Sequence, residues 1–210
     1  MTTAINSITQ YLLQSKAIKL EPAKPFTWAS GWKSPIYCDN RITLSYPEIR
    51  TAIRDAFVEK IKQQYPEVEL IAGVATGAIA QGALVAEAMN LPFAYVRATP
   101  KKHGMENLVE GIVNTKQKAV VVEDLVSTGS SSLQAVEALR KVGATVLGMT
   151  AIFTYGFAVA EENFKAGNCK LITLTNYMEL LDLAVKTGYL KPDQLDILKQ
   201  WRQNPETWMQ

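Results

Sequence analysis

Adjacent acids followed at once by small hydroxyl residues form the first chemistry-bearing stretch of this chain. It reads Val120-Val121-Val122-Glu123-Asp124-Leu125-Val126-Ser127-Thr128-Gly129-Ser130-Ser131-Ser132. The β-branched run predicts a strand, the small residues a turn, and Leu133 to Val142 a helix. A turn of this kind points backbone N–H groups inward and opens onto the positive end of a helix, which suits a phosphate. The hydroxyls of Ser127, Thr128, Ser130 and Ser131 add donors. Glu123 and Asp124 would repel a phosphate that touched them, but carboxylates accept from sugar hydroxyls. A ribose 5-phosphate meets both demands. The alternative is a capped helix preceded by solvated acids. The stretch is not a Walker loop, because no Gly-Lys-Ser/Thr closes it, and GxGxxG is absent.

Further groupings carry a chemical and a plain reading side by side. Gly73-Val74-Ala75-Thr76-Gly77-Ala78 is either an amide cradle for a pyrophosphate oxygen or an ordinary strand-to-helix turn. Arg97, Lys101, Lys102 and His103 surround Gly104 in a polar stretch from Ala98 to Lys118. A connection of that length inside a compact domain is a functional lid or a disordered segment, and its charges taken alone suit solvated surface. Ser30-Gly31 and Ser34-Pro35-Ile36-Tyr37 would set backbone groups and an aromatic ring against a planar base, while Trp28, Trp32, Trp201 and Trp208 read as packing.

The elements that must position these groups follow from periodicity. Ile5, Ile8, Leu12 and Leu13 predict an amphipathic opening helix. Glu21 to Arg41 is too irregular for one element. Ser45 and Glu48 form a capping-box pattern ahead of Ile49, Ile53, Phe57 and Ile61, a helix that ends by Tyr65–Pro66. Strands are expected at Leu70–Val74, Phe93–Val96, Ala119–Val122, Thr145–Phe153 and Leu171–Leu174, with helices at Ala78–Met89, Leu133–Val142 and Phe157–Lys165. Uninterrupted apolar strands separated by helices imply a parallel sheet covered on both faces. The expected fold is therefore α/β: a Rossmann-like parallel sheet of about five strands flanked by helices. A single domain spans 1–210, with a small N-terminal hood over 1–45 and the core sheet over 66–175. Two further helices, split near Gly188 and Pro192, end the chain.

Composition narrows the class. The chain has 210 residues, 48% of them apolar and 20% charged, the balance of a globular protein. A net charge of +2 is too mild to argue for nucleic acid or an acidic membrane as partner. Cys38 and Cys169 lack metal or disulfide spacing and read as buried hydrophobes in a reducing cytoplasm. Met1 to Leu20 lacks a signal-peptide pattern, and no apolar stretch is long enough to span a membrane.

Glu123 to Ser131 matches the signature of the type I phosphoribosyltransferases. Phe26-Thr27-Trp28-Ala29-Ser30-Gly31-Trp32-Lys33-Ser34-Pro35-Ile36-Tyr37-Cys38-Asp39-Asn40-Arg41 resembles the base-binding segment of the orotate phosphoribosyltransferases. Arg97, Lys101, His103, Gly104 and Val109-Glu110-Gly111 resemble that family's mobile loop. The chain departs from the pattern at Ala29 and Ala98, where many relatives carry basic residues, and near Tyr155, where some carry an Arg. The resemblance implies transfer of a phosphoribosyl group from phosphoribosyl pyrophosphate to orotate, giving orotidine 5′-monophosphate and pyrophosphate. It implies Lys101, His103 and Asp124 as catalytic residues. Phosphoribosyl pyrophosphate would meet Arg97, Lys101, His103, Glu123, Asp124, Leu125, Val126, Ser127, Thr128, Gly129, Ser130 and Ser131. Orotate would meet Ser127, Ser30 and Tyr37. Mg²⁺ would be held mainly by substrate, with no protein metal site, in a cytoplasmic homodimer with shared active sites. The alternatives are a purine-base phosphoribosyltransferase and a non-catalytic sensor of phosphoribosyl pyrophosphate. The sensor would be expected to carry a nucleic-acid-binding element, which the sequence does not display.

Overall fold

The computed structural model describes residues 3–28, 30–99 and 108–209. In chain order the elements are α1 (Thr3–Gln14), β1 (Ile18–Leu20), β2 (Phe26–Thr27), β3 (Lys33–Ser34), β4 (Ile36–Cys38), a 3-10 helix (Asn40–Ser45), α2 (Pro47–Gln64), β5 (Leu70–Val74), α3 (Ile79–Met89), β6 (Phe93–Val96) and β7 (Val109–Glu110). They continue with β8 (Lys118–Val126), α4 (Ser130–Lys141), β9 (Thr145–Thr154), α5 (Ala158–Ala166), β10 (Leu171–Asn176), α6 (Tyr177–Lys186), a 3-10 turn (Pro192–Gln194) and α7 (Leu195–Gln203).

The central sheet runs β10-β9-β8-β5-β6-β7. Five strands are parallel, as the buried apolar runs required, and the short edge strand β7 is antiparallel to β6. β7 is where the chain returns after residues 100–107, which lie outside the described residues. The chain proceeds outward from β5 to β6 on one side and from β8 to β9 and β10 on the other. The switch point therefore falls between β5 and β8, and ligands of open α/β sheets bind at the carboxyl ends of strands at such a point.

Both sheet faces are covered. Val120 and Val122 join the core built with α1, α2 and α3, while Ala119 and Val121 join the core built with α4 and α5. This alternation is the period-two side-chain geometry of a strand. It fixes the face on which each later residue of β8 emerges.

Two details differ from the sequence reading. β8 runs through Val126, so the acids belong to the strand and not to the turn after it. The Ser45–Glu48 capping box does not form. Ser45 closes the 3-10 helix, and α2 starts after Tyr46, without a side-chain cap and with Pro47 in its first position. Proline suits that position because its missing N–H would have been unpaired there.

The N-terminal strands form two small antiparallel pairs, β1 with β4 and β2 with β3. An aromatic cluster fastens them to the sheet's end. Trp28 packs on Tyr155 and Trp201, with ring centroids 5.2 and 5.6 Å apart. Trp201 is fully buried, as its packing role required, and its indole N–H donates to the main-chain oxygen of Lys33 at 3.1 Å. Among the described residues, no helix is long and apolar enough to cross a membrane.

Candidate active site

Asp124 and Glu123 leave β8 toward opposite faces. Glu123 is only 5% exposed. Its carboxylate accepts from the Ser132 hydroxyl of α4 and from the Asp124 N–H, both at 2.9 Å. Burial, and then the charge of Asp124, push the Glu123 carboxyl well above the usual carboxylate range. Asp124 is half-buried on the other face, and burial raises its carboxyl as well. The acids are therefore not an equivalent pair, a distinction that their adjacency in sequence conceals.

The Asp124 side chain lies against Gly77, the last glycine of the loop after β5. A Cβ at Gly77 would run into the Asp124 carboxylate. The absent side chain at residue 77 is what lets that loop pass beside the acid. The Ala75–Thr76 peptide within the loop is cis. The loop after β5 thus meets the carboxyl end of β8 at the switch point.

The turn after β8 is held from beneath by α5. Gly129 has φ +82°, a left-handed conformation, and a Cβ there would approach the Phe164 ring to 2.7 Å. The Asn163 side-chain amide donates to the Thr128 carbonyl at 2.9 Å. The Thr128 and Ser130 hydroxyls lie 3.4 Å apart. Gly129 caps α4 without any side-chain hydrogen bond, which leaves the first-turn N–H groups of this 12-residue helix open to an anion. Leu125 and Val126 are strand residues. Val126 is fully buried, and its carbonyl accepts from the Thr154 hydroxyl and the Tyr155 N–H.

The hood reaches the same place through Asn40, which is 2% exposed. Its amide nitrogen donates to the Asp124 main-chain oxygen at 2.6 Å, and its amide oxygen accepts from the Cys38 thiol at 3.4 Å. Cys38 is thus half-buried beside the acid and not a plain core residue, and burial pushes its thiol well up; Cys169 is buried as expected. Arg41 forks onto Asp39 at 2.7 and 2.9 Å and lowers the Asp39 carboxyl. Tyr37 is 39% exposed and packs on Phe26, and the exposed Ser30 hydroxyl accepts from the Trp32 N–H at 3.5 Å.

Arg97 follows β6, and its guanidinium pairs with Glu110 of β7 at 3.4 Å. Lys101 and His103 lie outside the described residues. Among the described residues, no group of three or more His, Cys, Asp or Glu side chains gathers as a metal cage. Asp124, with both Glu123 oxygens already engaged, suits a hard cation carried mainly by phosphate oxygens. Gly77 and Ser132 lay in stretches the sequence singled out, but not as partners of Asp124 and Glu123, and Asn40 had no signal of its own. Asn40 stands within the quoted hood segment, but its partner is 84 residues away.

Comparisons with known proteins agree with this geometry. Residues 43–186 match the family model described as phosphoribosyl transferase domain. The chain is 55% identical over 208 residues to the orotate phosphoribosyltransferase of Porphyromonas gingivalis, covering 99% of each chain. It is 59% identical over 197 residues to that of Bacteroides thetaiotaomicron, covering 94% of this chain and 93% of the relative. Among solved structures, orotate phosphoribosyltransferase from Aeropyrum pernix superposes with a TM-score of 0.73 at 26% identity, covering 87% of this chain and 99% of that one. An adenine phosphoribosyltransferase shares the fold at TM-score 0.63 and 19% identity, covering 80% of this chain and 99% of that one, so the fold alone does not choose the base.

Proposed function

Since this chain belongs to the type I phosphoribosyltransferases, and within them to the orotate phosphoribosyltransferase family, we propose that it joins orotate to the ribose of phosphoribosyl pyrophosphate. The products are orotidine 5′-monophosphate and pyrophosphate, a step of pyrimidine nucleotide synthesis. The observation that carries this reading is the placement of Asp124 between an open phosphate turn and the hood, in a chain aligned with orotate enzymes over nearly its whole length.

The 5′-phosphate sits in the turn from Ser127 to Ser131, on the first-turn amides of α4. Asp124 accepts from a ribose hydroxyl. Glu123, fixed by Ser132, backs the strand behind it and reaches the ribose only if that hydrogen bond opens. Orotate lies under the hood near Ser30 and Tyr37, with Ser127 on the sheet side. Arg97, Lys101 and His103 meet the leaving pyrophosphate, where negative charge grows and fixed cations stabilise it. The bond from C1′ to the pyrophosphate oxygen lengthens toward an oxocarbenium ion. The orotate ring nitrogen gives up its proton to water or to pyrophosphate and forms the new bond from the opposite face, and pyrophosphate departs with the bonding electrons. Mg²⁺ carried by the substrate oxygens would supply charge neutralisation, and Asp124 is the acid that would face it. The working unit is a cytoplasmic homodimer whose loops from Arg97 to Gly111 serve the partner's site.

The purified protein is tested with phosphoribosyl pyrophosphate, Mg²⁺ and, separately, orotate, adenine and uracil. Loss of orotate absorbance with pyrophosphate release is the expected result. Turnover with adenine instead marks a purine enzyme, and no turnover with any base marks a sensor.

A further inference from the structure

The C-terminal helix brings a guanidinium to the end of β9. Arg202 donates from Nε to the Tyr155 carbonyl at 2.9 Å and from Nη2 to the Gly156 carbonyl at 2.5 Å. Gly156 has φ +65°, and a Cβ there would meet Arg202 Nη2 at 3.0 Å, so the glycine leaves room for the approach. Arg202 lines a cavity of about 250 Å³ that includes Trp32 of the hood, Thr128 of the turn after β8 and Phe157. Glu206 also lines it and is exposed.

Charge balance singles this residue out. Orotate differs from uracil by an ionised ring carboxylate, and a site that prefers it must present hydrogen-bond donors to that group, among which a fixed cation is the strongest. The residues assigned to the base, Ser30, Tyr37 and Ser127, are neutral. Arg41 is matched by Asp39, and Arg97 by Glu110. Lys33 is exposed and turned to the Thr27 hydroxyl at 2.8 Å. Arg202 is held by carbonyls, which orient its fork without cancelling its charge. Its remaining nitrogen, Nη1, has no hydrogen-bond partner among the described residues. A planar cation that shares a cavity with a hood tryptophan, with Phe157 and with Thr128, the neighbour of Ser127, matches a flat ring carboxylate in shape and charge.

We propose that Arg202 is the specificity-determining residue that reads the carboxylate of orotate, an inference that rests on the orotate reading above. The test compares kcat/KM for orotate and for uracil, which lacks the carboxylate, in the wild type, Arg202→Gln and Arg202→Lys. Arg202→Gln is expected to lower the preference for orotate over uracil by about 10- to 100-fold, chiefly through the orotate KM. The KM for phosphoribosyl pyrophosphate should stay near the wild-type value, and Arg202→Lys should recover part of the preference. Trp201→Phe, which removes the bond to Lys33 but keeps the arginine, separates charge from helix docking and should leave the preference unchanged. An active wild type whose preference survives in Arg202→Gln overturns the assignment of Arg202. So does a fall in preference that Trp201→Phe reproduces in full. A wild type that does not turn over orotate overturns the underlying reading instead, and the assignment with it.

Discussion

The side-chain amide of Asn40 donates to the main-chain oxygen of Asp124 at 2.6 Å. The bond ties the hood to the strand that carries the acid proposed to meet the ribose. The β5–β8 ladder ends at Gly73–Val122, so this carbonyl lies beyond the last strand partner on that side. A buried side chain supplies the donor that the finished strand does not. Replacing Asn40 by Leu leaves the carbonyl unpaired, at a cost of roughly 1–3 kcal/mol. We expect a fall in Tm of about 2–10 °C and a raised KM for phosphoribosyl pyrophosphate. Unchanged values of both would show that the bond positions nothing.

Asp124→Asn should separate activity from stability. The carboxyl is already raised by burial, so neutralising it relieves a cost while removing a charged acceptor for the ribose. kcat/KM is expected to fall roughly 10- to 150-fold, with stability within about 1 kcal/mol of wild type. Full turnover in the folded variant would remove Asp124 from the site.

Gly77→Ala forces a methyl group into the space of the Asp124 carboxylate. A cost of about 1–3 kcal/mol is expected from overpacking, together with reduced turnover. The same substitution made in an Asp124→Ala background should cost much less, because contacting residues are not additive. Equal costs in both backgrounds would place the strain elsewhere.

Glu123→Gln tests the buried acid through pH. The folded chain holds the Glu123 proton more tightly than the unfolded chain does, because its folded value is raised by burial and by Asp124. That contribution to stability is complete below the ordinary carboxylate value and is lost as pH rises through the raised value. Asp124 shifts in the same direction. Glutamine keeps the hydrogen bonds to Ser132 and to the Asp124 N–H without ionising. Its Tm advantage over wild type should therefore be small near pH 4 and grow toward pH 8, by about 2–4 °C for each kcal/mol. A difference that stays flat across this range would mean that Glu123 does not titrate out of its usual range.

Subunit mixing tests the shared site. Lys101→Ala should lower turnover by about 100- to 1,000-fold through the lost contact to the leaving group. Mixed with the impaired Asp124→Asn and allowed to exchange, it should rise above the activity of either variant alone. A loop acting across a twofold interface leaves one site of each heterodimer without either lesion. A mixture that stays at the level of the two variants, with exchange confirmed independently, would assign each loop to its own subunit.

The local character of each segment is written in its residues. Val120 to Val122 reads as a buried strand, and Ser127 to Gly129 as a small-residue turn feeding a helix that begins at Ser130. The sheet and the small-residue turn were legible from periodicity and residue size, which act over a few neighbouring positions. The antiparallel return at Val109–Glu110 was not, because two residues carry no period. Nor was the asymmetry of Glu123 and Asp124. Adjacent strand residues emerge on opposite faces, and only the packing of α4 on one side and of Asn40 with Gly77 on the other decides which acid is buried. Arg202 shows the same limit from the far end of the chain. Its charge is visible in sequence, but its place beside Gly156, 46 residues earlier, exists only once the Trp201 cluster has docked α7. Such contacts depend on burial and distance in three dimensions, and spacing along the chain does not encode them.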